Sequence, residues 1–122
     1  MTILAYNLSM AYDEKLAYRL RAALKASKGI TEKKTFGGIS FLLNGNMVAG
    51  VLGSDLVSRF DPDETDRLLK KPHARPFDPF DKRPGKPMKG WLLVGPAGLT
   101  KERELQTWIE LGLEYARSLP KK

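Results

Sequence analysis

Between Phe36 and Phe60 the apolar residues gather into short runs: Ile39 with Phe41 to Leu43, Met47 to Leu52, and Leu56 with Val57, separated by Asn44-Gly45 and Gly53-Ser54. Short apolar runs punctuated by such pairs predict three antiparallel strands joined by tight turns. A regular register across Asn44-Gly45 sets Ile39, Phe41 and Leu43 on the same face as Val48, Gly50 and Leu52, and leaves Leu42, Met47, Ala49 and Val51 on the other. Both faces of this hairpin are apolar. One is therefore expected to meet helices, and the other to be covered by a second layer or a partner chain. Upstream, Thr31 to Phe36 predicts a leading strand whose charges suit a sheet edge.

The flanking segments change period. From Asp13, Leu16, Leu20 and Leu24 share a helical face with Ala17 and Ala23, and Asp13 is placed as an N-cap, so a first helix is expected from about Asp13 to Lys28, before Gly29. After Phe60, Asp61 at a cap, Pro62 at the first helical position and Glu64 three residues after the cap form a capping-box arrangement that opens a short second helix. Pro72 stops it, and the five prolines from Pro72 to Pro87 predict an irregular loop. Trp91 to Val94 reads as a further strand ending at Gly95-Pro96. Thr100 is placed as the cap of a last helix that buries Leu105, Trp108, Ile109, Leu113 and Ala116 and ends at Pro120.

Composition narrows the class. The chain has 122 residues, 42% hydrophobic and 29% charged, which suits one soluble domain. Residues 1–9 have no period and are taken as an N-terminal extension, with the domain spanning 10–120. The absence of cysteine excludes disulfides, thiolate metal sites and a cysteine nucleophile. No apolar run is long enough for a membrane span and no secretory signal pattern opens the chain, so a cytoplasmic location is expected.

Little in the chain speaks for catalysis. His73 is the only histidine and has no second ligand or nucleophile near it in sequence. The acids Asp61, Asp63, Glu64 and Asp66 sit where a helix start attracts negative charge, and structural capping explains them. The glycines between the strands lack the lysine and helix of a phosphate loop. The run Lys34 to Phe41 approximates the aromatic strand of RNA-recognition domains, but Gly38 stands where a second stacking ring is needed, which leaves Phe36 and Phe41 as core residues. No catalytic residue, metal or cofactor is therefore assigned, and the chain is expected not to be an enzyme.

The net charge is +7, which favours phosphate backbones or acidic partners. It is concentrated at residues 70–89, where Lys70, Lys71, Arg75, Lys82, Arg83, Lys86 and Lys89 face only Asp78 and Asp81, with His73, Phe77 and Phe80 interleaved. A solvated loop anchored by its two phenylalanines accounts for this run. The functional alternative makes these seven side chains a contact surface for nucleic acid or an acidic protein.

Taken together, MAYDEKL (Met10 to Leu16), EKKTFGGISFLLNGNM (Glu32 to Met47), KPHARPFD (Lys71 to Asp78), KPMKGW (Lys86 to Trp91) and ARSLP (Ala116 to Pro120) resemble the TfoX N-terminal domain family. These are small bacterial domains found alone or ahead of another domain in competence regulators. The resemblance implies an α+β fold with a central antiparallel meander, flanked by N-terminal, short middle and C-terminal helices in a secretion-chaperone-like topology. It implies no catalytic residues. The stretch between Phe77 and Lys86 is longer than the family pattern leads one to expect. The expected function is a regulatory or protein-interaction module, with a protein partner or a second copy on an uncovered sheet face. Weak nucleic-acid binding through the basic loop is the alternative.

Overall fold

The computed structural model describes residues 12–35, 37–77 and 88–122. In chain order these form helix α1 (Glu14–Leu24), strands β1 (Ile30–Thr35), β2 (Gly38–Leu43), β3 (Asn46–Leu52) and β4 (Asp55–Arg59), and a 3-10 turn (Pro62–Glu64) running into α2 (Thr65–Leu69). Strands β5 (Ala74–Pro76) and β6 (Trp91–Val94), a second 3-10 turn (Pro96–Gly98) and the long helix α3 (Glu102–Ser118) complete the domain. The six strands form one sheet in the order β1-β2-β3-β4-β6-β5, with every neighbouring pair antiparallel. The expected α+β fold is thus present. The meander runs only through β4, because the chain reaches the far edge at β5 and returns to insert β6 beside β4.

Local chemistry explains most boundaries. Asp13 caps α1 as expected, its carboxylate accepting from the Lys15 and Leu16 amides at 2.8 and 3.3 Å. The helix stops at Leu24 rather than near Lys28, since Leu24 is its last core residue and Ala26, the one apolar side chain from Lys25 to Lys28, stays exposed. Asn44 and Gly45 take φ of 51° and 86°, the paired positive values that a two-residue hairpin turn of matching twist requires. Asp61 accepts from the Asp63 amide at 3.0 Å, but Glu64 pairs with Arg67 instead of reaching back to close a capping box. Thr100 does not cap α3. Lys101 occupies that position and makes no side-chain cap bond. Within the expected loop, residues Ala74 to Pro76 form a short edge strand.

The hairpin register differs from the regular one in an instructive way. Leu43 faces Asn46 and Leu42 faces Met47, as the turn dictates, but Phe41 then pairs with Ala49 and Ile39 with Val51, leaving Val48 as an extra residue. This bulge shifts the pairing by one and exchanges the faces beyond it. Ala49 and Val51 therefore join Ile39, Phe41 and Val48 in the main core, while Gly50 and Leu52 lie on the opposite face, a correction to the regular register.

The main core lies between the sheet and the three helices, with Leu16, Leu20 and Leu24 of α1, Leu68 of α2, and Leu105, Trp108, Ile109, Leu113 and Ala116 of α3 packed against Phe41, Leu56, Leu92 and Val94. Every side chain assigned to the buried face of the last helix is there. A smaller cluster on the other face joins Met47, Val57 and Trp91, with Leu52, Phe77 and Leu93 at its margin, and no helical residue takes part. Phe77 and Met88 stand side by side. Met88 N donates to Phe77 O at 3.3 Å, Gly90 N to Thr65 Oγ1 at 2.8 Å, and Phe60 N to Gly90 O at 3.1 Å.

Candidate functional site

The basic run does not come together as a single cationic surface in the described residues. Lys70 and Lys89 are exposed. Arg75, however, donates from Nη2 to Asp55 Oδ2 at 2.7 Å, an ion pair that raises the guanidinium pKa above its ordinary value. Lys71 lies with Nζ 5.3 Å from the centre of the buried Trp108 ring, a cation–π contact that ties it to α3. Lys82, Arg83 and Lys86 lie outside the described residues, as do Phe80 and the expected core residue Phe36. Phe77 is half-buried and meets Trp91 edge-on, with ring centres 6.3 Å apart, so it anchors the start of the loop as expected.

The second sheet face does not lie open at its centre. Met47, Val57 and Trp91 are 8%, 1% and 6% exposed within the single chain. Phe77 covers one side of the Trp91 indole. The Arg59 guanidinium stands over it at 4.6 Å and reaches the Tyr115 ring of α3 at 5.3 Å. The expectation of an uncovered apolar face is corrected here. Aromatic and cation–π packing closes the part of the face that would otherwise be the most adhesive.

The surface that does remain open is one sequence reasoning named only as an edge. Strand β1 ends the sheet, and among the described residues no strand pairs with its outer side. Asn44 N donates to Gly29 O at 3.0 Å in continuation of the β1–β2 register, which makes Thr31 and Lys33 members of hydrogen-bonded pairs with β2. By alternation, the backbone N–H and C=O groups of Ile30, Glu32 and Lys34 point outward.

Beside this edge, between α1 and the sheet, runs a groove of about 500 Å³ lined by Tyr18, Ala22, Leu24, Lys25, Ile30 and Phe41. Tyr18 is 68% exposed, a large side chain left at the rim. A fork of hydrogen bonds spans the groove, from Arg21 Nε to Glu32 Oε2 at 2.6 Å and from Arg21 Nη2 to Glu32 Oε1 at 2.8 Å. The pairing holds the Glu32 carboxyl below its usual pKa and raises that of Arg21, because the shared hydrogen bonds favour both charged forms. Lys25, Lys28, Lys33 and Lys34 surround this edge, all exposed, and none enters an ion pair among the described residues. The groove was hidden from sequence reading because Tyr18 and Ala22 of the helix meet Ile30 and Phe41 of the sheet only in three dimensions. The exposed aromatic in an otherwise charged helix face was the one signal.

His73 is exposed, in a left-handed conformation of φ 67°, and its carbonyl accepts from Gly95 N at 3.0 Å. No group of three or more His, Asp or Glu side chains is placed to hold a metal among the described residues, and no helix there is long and apolar enough to cross a membrane.

Helices gathered on one face of an antiparallel sheet define an α+β domain. The family model of the TfoX N-terminal domain matches residues 22–116, from the later part of α1 through the whole sheet to the end of the buried stripe of α3, and the chain belongs to that family. No curated protein and no solved structure matches the chain.

Proposed function

We propose that this chain is a non-enzymatic regulatory module that acts by binding another protein along the α1–β1 edge of its sheet. The observation that carries the reading is the conjunction of a six-residue edge strand, whose outer side pairs with no strand among the described residues, with a neighbouring groove bordered by Ala22 and Ile30 and an exposed Tyr18 at its rim. Strand addition to such an edge is a recurring mode of protein recognition, with the backbone supplying affinity and neighbouring pockets supplying selectivity. The regulatory half of the reading rests on membership of the TfoX N-terminal domain family. A photo-crosslinking residue placed at Tyr18 in the intact chain, in living bacteria, should yield a discrete protein adduct, and the same residue at exposed Gln106 of α3 should not. Equal labelling at both positions, or none at Tyr18, would sink the proposal.

A second reading, weak nucleic-acid binding by the basic loop, draws on the exposed Lys70 and Lys89 and on the net charge of +7. It requires binding that falls steeply with salt. The triple variant Lys82→Ala, Arg83→Ala, Lys86→Ala should then reduce the slope of log affinity against log salt by about 2 to 3 on a duplex probe. An unchanged slope removes this reading.

A further inference from the structure

Resting on that edge reading, we infer that the partner segment is an extended acidic peptide, which adds a strand to β1 and lowers one apolar side chain into the α1–β1 groove. Geometry and charge each constrain the occupant. The outward backbone groups of Ile30, Glu32 and Lys34, solvated while the edge is free, are matched in spacing by another extended chain and not by a helix, which has no spare backbone groups along its side. The register places Ile30, Glu32 and Lys34 on the helix-side face and Thr31 and Lys33 on the other. An added strand would therefore present alternate side chains to two environments. On the helix side they meet Tyr18, Ala22 and the half-buried Ile30 beside the Arg21–Glu32 fork, and the three apolar surfaces suit one apolar residue. On the other side they meet Lys33, while Lys34 and Lys25 border the helix side of the same edge.

The only acid of the strand, Glu32, is already engaged by both nitrogens of the Arg21 fork. The edge therefore carries an uncompensated positive charge, and an acidic strand matches it. A second copy of this chain fits worse. The register centred on Glu32 sets two carboxylates face to face, and the one centred on Lys33 sets two lysines face to face, with Glu32 opposite Lys34 but already held by Arg21.

The test uses the full chain, isotopically labelled, and a decapeptide that alternates Glu with Val and carries one Phe among the valines. At millimolar peptide, amide exchange at Ile30, Glu32 and Lys34 should slow by about tenfold or more, with no such change at Thr31 or Lys33, which are already bonded within the sheet. Reversing charge in the double variant Lys33→Glu, Lys34→Glu should weaken binding about threefold to tenfold and transfer the preference to a peptide with Lys in place of Glu. Replacing the exposed Tyr18 by Ala should weaken binding without altering the fold.

If the Lys peptide protects the same three amides equally well, the acidic chemistry is overturned while the docking edge stands. If neither peptide protects them, the lysines serve only to deter chance strand pairing, and both the inference and the edge reading fall. Protection that rises with protein concentration in the absence of peptide would assign the edge to a second copy and overturn the inference.

Discussion

Gly112 stands in the middle of α3, where glycine costs about 1 kcal/mol relative to alanine by helix propensity. Its position is explained by the bulge in β3. A Cβ on Gly112 would lie 2.2 Å from the carbonyl oxygen of Val48, the extra residue that the bulge turns toward the helix. The propensity gain of Gly112→Ala is thus opposed by a collision with backbone rather than with a side chain that could rotate away. The variant is expected to be less stable by about 1 to 3 kcal/mol in urea unfolding, in the range of overpacked cores. A stabilised variant would mean that α3 and β3 can separate without loss. Apolar periodicity identified Leu105, Trp108, Ile109, Leu113 and Ala116 as the buried side of this helix, but periodicity does not register a residue whose role is to have no side chain. The same blindness hid the bulge: no turn residue marks Val48, and only the close fit to Gly112 accounts for it.

At the level of elements, α1 and β1 are joined by the Arg21–Glu32 fork across the groove. Because Glu32 titrates below the usual glutamate range in the folded chain, its contribution is complete above the unfolded pKa of about 4.3 and is lost as pH falls through the lower folded value. The raised pKa of Arg21 adds no pH dependence in the neutral or acid range, since both states stay protonated there. With side chains 50% and 36% exposed, the pair contributes only about 0.5 kcal/mol after solvent screening. Urea melts of the natural chain and Glu32→Gln should differ by that amount at pH 7 and converge as pH falls through the lowered folded pKa of Glu32. A gap that stays constant through the whole acid range would show that packing, not charge, is lost in the variant.

The elements themselves were largely legible. Turn pairs, caps and apolar periods located α1, β1, β2, β3, β4, α2, β6 and α3. The exception is β5, which is too short and too proline-rich to announce itself and exists because β6 offers it a pairing edge.

For the molecule as a whole, the sequence pointed to a basic loop and a two-sided sheet, and among the described residues folding engages two of the basic side chains and closes the centre of the second face. Arg75 is engaged by Asp55 and Lys71 by Trp108, while the second face closes over Trp91 with Phe77 and Arg59. None of these pairings can be inferred from spacing, since each joins residues from different elements. Among the described residues no strand covers the outer side of β1, where lysines that mark an edge strand become the border of a groove.

The hydrogen bond from Met88 N to Phe77 O carries a different consequence. With the two ends of the intervening segment held together, and Gly90 held in turn by Thr65 and Phe60, added length is absorbed locally instead of being passed to the sheet. Doubling such a segment costs only about 0.6 kcal/mol in closure entropy. The junction of Phe77 and Met88 is thus a port where evolution or an engineer can splice in new sequence while the β1 edge, on the far side of the sheet, keeps its shape.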